Sequence, residues 1–140
     1  MKCESKNKFI TGYKVTDASV HDSEPTTGML NAEDEGQPFY ADSAYTGADF
    51  QAKLVNEKKV TLQVVEKGYK GKPLTDEQKT TNKEKSRVRV RVGHIFGFIE
   101  NSMNGCTIKT IGIKRATSVI GLINLTYNLF RKVQVANSIV

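Results

Sequence analysis

Apolar and polar positions fall into short extended stretches in the first half of the chain and long periodic ones in the second. Lys8 to Thr16 (KFITGYKVT), rich in β-branched and aromatic residues, predicts a strand. Asp17 and Ser19 mark a turn after it. Ser23, followed by Glu24 and Pro25, predicts the start of a short helix ending near Asn31, because proline costs no hydrogen bond in a first turn. Ala32 to Gln37 reads as an acidic loop and Pro38 to Asp42 (PFYAD) as a short strand. Thr46 is placed to cap a helix over Gly47 to Lys59, with Phe50, Leu54 and Val55 on its apolar face. Val60 to Val65 (VTLQVV) is the next strand, so Pro38 to Val65 predicts a β-α-β unit with parallel strands.

Glu66 to Leu74 is a loop of glycine, lysine and proline, and Thr75 with Gln78 three residues on has the form of a capping box. The stretch from Ser86 reads two ways. VRVRV alternates as a strand does, whereas Val88, Val92, Ile95, Phe96, Ile99 and Met103 recur at helical spacing. The helical pattern spans more residues and is preferred. It encloses Gly93 and Gly97, each costing about 1 kcal/mol relative to alanine, so both call for a reason. Asn104-Gly105 ends this helix. The last helix, Gly112 to Val135, carries Ile113, Ala116, Ile120, Ile123, Tyr127 and Phe130 and is apolar on more than one face, which predicts two packing neighbours. There is no internal repeat, and 140 residues fit a single domain over 1–140 of class α/β.

Composition narrows the setting. The residues are 38% hydrophobic and 26% charged, enough for a modest core. Cys3 and Cys106 form no CxxC pair, which points to free thiols in a reducing cytoplasm. MKCESKNKFI has no apolar core of a signal peptide, and Val119 to Phe130 is too short and interrupted to span a membrane. The net charge of +6 is concentrated. Lys67 to Arg91 holds nine basic and three acidic residues, net +6, and leaves the rest neutral. One such segment suits a polyanion better than scattered lysines do, and the plainer alternative is a solvated helix face.

Five segments in order carry a resemblance. VTDASVHDS (Val15 to Ser23), YADSAYTG (Tyr40 to Gly47), RVRVGHIFGFIENSMNG (Arg89 to Gly105), KTIGIKRA (Lys109 to Ala116) and IGLINLTYNLFR (Ile120 to Arg131) together resemble DDE-type insertion-sequence transposases, over about Lys8 to Val135. The resemblance implies a partial ribonuclease-H-like fold, a mixed sheet with flanking helices. It also implies DNA as substrate, and phosphodiester cleavage with strand transfer. In that chemistry three carboxylates hold two divalent ions, Mg²⁺ by expectation, since hard oxygen ligands suit that ion.

Transferred residue by residue, the resemblance makes Asp42 the second aspartate, a catalytic and metal-binding group at the C-terminal end of a strand. Arg89 matches the arginine four residues before the third carboxylate, on the same helix face. That carboxylate falls at Gly93, where the family reads RVEH and this chain RVGH. The first aspartate is expected on a strand before Lys8, where the only acid is Glu4. The expectation is therefore a truncated, catalytically silent chain whose sheet lacks its first strands and is either marginal or rearranged, or associates through its open edge, with itself or with intact transposase. Lys83, Lys85, Arg87, Arg89 and Arg91 are the expected DNA contacts, to phosphates rather than bases.

Other acids read more plainly. Asp17 fits a turn and Asp22 a helix cap better than either fits a metal cluster with His21. His94 faces about 100° away from Gly93, and Glu100 lies roughly 10 Å along the helix from it, so neither substitutes for the carboxylate. No helix-turn-helix that would read sequence is visible.

Overall fold

The computed structural model describes residues 1–21, 24–41, 45, 47–71, 73–105 and 107–138. The fold is mixed α/β, with four helices longer than one 3₁₀ turn and two small sheets among these residues. It forms two compact units, residues 1–20 with 91–140, and residues 21–90.

In the unit of residues 21–90, β3 (Pro38–Ala41) lies parallel to β4 (Thr61–Val64), with Pro38 beside Thr61 and Ala41 beside Val64. The crossover is α2 (Ala48–Lys58), so the expected β-α-β unit is present. Helix α2 begins at Gly47 without a side-chain cap, and Thr46 lies outside the described residues. It ends at Lys59, whose left-handed backbone turns the chain into β4. Leu54 is fully buried with Leu30 and Val60, and Phe39, Phe50 and Leu62 pack around them. Val55, expected on the same face, is 47% exposed, because one step along the helix turns it away from Leu54.

Helix α1 (Thr26–Met29) follows Pro25 as expected and stops at Leu30, whose extended backbone cannot continue it. Ala32–Asp34 forms a 3₁₀ turn where a loop was expected. Its cause is local: Asn31 N–H donates to Asp34 Oδ2 at 2.9 Å, and Asp34 N–H to Asn31 O at 3.1 Å.

In the other unit, the strand expected over Lys8 to Thr16 shrinks to β2 (Ile10–Gly12), antiparallel to β1 (Lys2–Cys3). Both backbone polar groups of Ile10 are taken by one side chain: Ile10 N–H donates to Asn128 Oδ1 at 2.9 Å and Asn128 Nδ2 donates to Ile10 O at 2.8 Å. The amide thus stands in for a neighbouring strand and closes that edge at Ile10. The turn at Asp17 holds as read, with Ser19 N–H and Oγ both 3.0 Å from Asp17 Oδ1. Those hydrogen bonds pull the Asp17 carboxyl below its ordinary pKa.

Helix α4 (Ile113–Asn137) and the end of α3 (Asp76–Met103) supply the rest of this core: Ile95, Ile99 and Tyr127 bury against Ile10. The Phe98 ring packs edge-on to Tyr127 and Phe130, with centroids 5.7 and 5.8 Å away. Tyr127 Oη donates to Lys8 O at 3.0 Å, and burial raises its pKa. Burial likewise raises the pKa of the Cys3 thiol, which suits a packed rather than a reactive cysteine. The second packing neighbour expected for α4 is not found among the described residues: Leu122, Leu125, Leu129, Phe130 and Val133 are all more than half exposed.

Candidate nucleic-acid interface

From Asp76 onward the basic segment lies on one continuous helix. α3 starts with the capping box read from the sequence: Gln78 N–H donates to Thr75 Oγ1 at 3.2 Å and Thr75 N–H to Gln78 Oε1 at 2.9 Å. Asn82 then fastens it to the chain leaving β4. Its Nδ2 donates to Glu66 O and its Oδ1 accepts from Glu66 N–H, both at 2.9 Å. Gln78 Nε2 donates to Glu66 Oε2 at 2.7 Å, and Lys85 Nζ to Val64 O at 3.1 Å. Sequence reasoning missed this clamp. The signal was a mid-helix asparagine, a residue whose side chain competes with the backbone and so asks for a reason.

The five predicted DNA-contacting cations do not share a face. At about 100° per residue, Lys83, Arg87 and Arg91 line one side of α3, while Lys85 and Arg89 point nearly opposite, in line with Gly93. A strand over VRVRV would instead have set Arg87, Arg89 and Arg91 side by side. Lys83 and Arg87 are exposed and make no hydrogen bond or ion pair among the described residues. Arg91 is half-buried and donates to Ser5 O. Lys85 is held by Val64, and Arg89 also has an interaction partner. Lys79, one turn before Lys83, is paired with Asp76 at 2.8 Å.

Lys85 borders a cleft of about 220 Å³ at the C-terminal end of β4, lined by Gln51, Leu62, Val64, Val65 and Glu66 as well. In parallel sheets this end of the strands is where ligands dock. Asp42, the residue after Ala41 of β3, lies outside the described residues, as do Ser43 and Ala44 of the YADSAYTG motif, and Asp22, Ser23 and Cys106.

Gly93 sits in the middle of α3 and is exposed. A Cβ built there would meet nothing within 4 Å, and one on Gly97 would only reach Asn101 Nδ2 at 4.0 Å. Close packing therefore does not explain either glycine. His94 turns aside from this line, its Nδ1 3.0 Å from Lys8 Nζ. Among the described residues no three of His, Cys, Asp and Glu are grouped to hold a metal ion. Gly93 offers no side-chain carboxylate, so the described residues do not supply the carboxylates of a two-metal centre.

No helix among the described residues is long and apolar enough to cross a membrane. No curated protein and no solved structure matches the chain. The family model of the transposase DDE domain matches residues 1–129 of the 140. With nine-tenths of its length matched, the chain belongs to the DDE transposases, a family that acts on DNA with divalent metal.

Proposed function

We propose that this member of the DDE transposase family binds DNA and does not cut it. Gly93 carries the reading: it replaces the carboxylate of the family's RVEH pattern, in a setting where a longer side chain has open space. Asp42 is the residue proposed to keep the position of the family's second aspartate, a metal ligand for Mg²⁺, without cleavage following from it. Among the described residues no group of three His, Cys, Asp or Glu completes a metal site with it.

DNA contact is proposed for Lys83, Lys85, Arg87, Arg89 and Arg91. The exposed Lys83 and Arg87 lead, because they lose no internal partner when they meet a phosphate. At roughly 0.9 per phosphate neutralised, two contacts give a slope of log K against log salt near −2, and five near −4 to −5. Fluorescence anisotropy of a labelled duplex at several salt concentrations measures it. Changing Lys83 and Arg87 together to alanine is expected to weaken binding at low salt and to flatten the slope by about 2. Binding independent of salt, or unchanged in the double variant, would remove the basis of the proposal. A non-enzymatic, regulatory DNA-binding role beside an active transposase rests on the same glycine, and co-purification with that enzyme distinguishes it.

A further inference from the structure

We propose that the turn of residues 5–8, held by Arg91 and His94 of α3 and Arg131 of α4, is a second phosphate-binding site that grips the DNA backbone. The inference rests on the reading that the chain binds DNA. It adds Lys6, Lys8 and His94, which lie outside the basic segment Lys67 to Arg91. Every residue of the site belongs to the unit of residues 1–20 with 91–140.

The turn is surrounded by donors. Arg91 donates to Ser5 O, Arg131 Nε to Asn7 O at 2.6 Å, and Tyr127 Oη to Lys8 O at 3.0 Å. Arg131 also donates to Gln134 Oε1 at 3.0 Å. These bonds occupy the carbonyls of the turn, yet each guanidinium carries five N–H groups and keeps some to spare. The nearest carboxylate is committed as well. Glu4 Oε2 accepts from Lys6 N–H at 2.9 Å, and Glu4 Oε1 from Asn7 N–H at 2.5 Å. Lys6 is exposed, and its side chain has no partner among the described residues.

The contact between Lys8 and His94 points to an anion. Lys8 Nζ lies 3.0 Å from His94 Nδ1. An ammonium can only donate, so Nδ1 accepts and the ring carries its proton on Nε2. Donors are left over on both side chains, and His94 is exposed. No acid among the described residues pairs with either one. A phosphate oxygen can accept from both, and hydrogen bonds to an ionised group are the stronger kind. The backbone of Lys8 agrees. Its φ of 62° is a left-handed conformation that glycine or asparagine adopts more readily. Such strain gathers at ligand clamps, where a particular side chain is needed at that point. The site offers charge and donors without a pattern of acceptors, so it holds phosphates and does not read bases.

Fluorescence anisotropy of a labelled duplex over a range of salt tests the site in the whole chain. A Lys6→Gln/Lys8→Gln double variant is measured beside the Lys83→Ala/Arg87→Ala one. Each lysine that meets a phosphate adds roughly 0.9 to the slope of log K against log salt, so the new double variant should flatten it by about 2 and weaken binding at low salt. The His94 ring gives a second readout: its NMR signal, identified as the one lost in His94→Gln, should shift when duplex is added. A slope unchanged in the Lys6/Lys8 variant but flattened in the Lys83/Arg87 variant overturns this site and leaves DNA binding through α3 standing. Loss confined to the Lys6/Lys8 variant upholds the site and removes the contacts of α3. A chain that binds no duplex at any salt overturns both. A His94 signal unmoved at saturating duplex overturns the site even if affinity falls, because the loss then reflects overall charge alone. Circular dichroism checks the fold. If Lys8→Gln disturbs the turn, Lys6→Gln by itself must still flatten the slope by about 1.

Discussion

Glycine has opposite meanings at two positions of this chain. At Gly93 nothing surrounds the missing side chain, so the residue bears only the entropic penalty of glycine in a helix. Gly93→Ala is expected to stabilise the protein by about 0.5–1 kcal/mol in a denaturant melt. At Gly105 a Cβ would stand 2.9 Å from Ile99 Cγ2, 3.2 Å from Ile123 Cγ2 and 3.3 Å from Ile99 O. Its N–H also donates to that carbonyl at 2.9 Å, which turns the chain sharply after α3. Gly105→Ala should destabilise by about 1–3 kcal/mol, since core side chains and backbone must move. Similar effects of the two substitutions would show that the two glycines are packed alike. Gly121 is a milder case than Gly105, because a Cβ there would meet the hydroxyl end of Tyr13, a side chain 38% exposed and free to swing.

At the scale of elements, two helices are tied down by asparagine amides that imitate a strand. Asn82 holds Glu66 and Asn128 holds Ile10, each through one accepted and one donated bond to the same residue's backbone. Removing either leaves two backbone groups to find water or remain unpaired, at about 1–3 kcal/mol for a buried group. Asn128→Ala is therefore expected to lower the thermal midpoint more than Asn82→Ala. Asn128 is partly buried beside the core of Ile10, Ile99 and Tyr127, whereas Glu66 is exposed to solvent. Equal losses in calorimetry would contradict that ranking. Asn128 also bears on why the strand expected from Lys8 to Thr16 is only three residues long: at Ile10 a side chain takes the hydrogen bonds that a partner strand would make.

On the scale of the whole molecule, folding redistributes the charge. Along the sequence, Lys67 to Arg91 holds all of the net +6. In space, residues 1–20 with 91–140 bear ten basic and three acidic residues, net +7, whereas residues 21–90 bear eleven and twelve, net −1. The unit of residues 1–20 with 91–140 is thus basic overall, although along the sequence the excess sits in Lys67 to Arg91. The absent donor at Gly93 leads to a second expectation at this scale. Incubated with Mg²⁺ and supercoiled plasmid, the protein should leave the plasmid closed. Nicking that depends on the metal and vanishes in Asp42→Asn would refute catalytic silence, since it would show a working centre despite Gly93.

The sequence by itself determined the family and the local elements. Ordered motifs from Val15 to Arg131 marked the transposase, and the family match over residues 1–129 agrees. The period of Val88, Val92, Ile95 and Ile99 specified a helix where VRVRV alone would have specified a strand, because burial on one side repeats at the helical pitch. The capping box at Thr75 and the parallel pairing of Pro38 to Val65 were legible for the same reason: each depends on residues close in sequence. Only the tertiary structure decided the rest. It split the five cations between opposite faces of α3, placed Gly93 in open space, closed Ile10 with an asparagine 118 residues away, and gave the second apolar face of α4 no neighbour among the described residues. Such facts depend on contacts between distant segments, and a local pattern records that a face is apolar without recording what covers it.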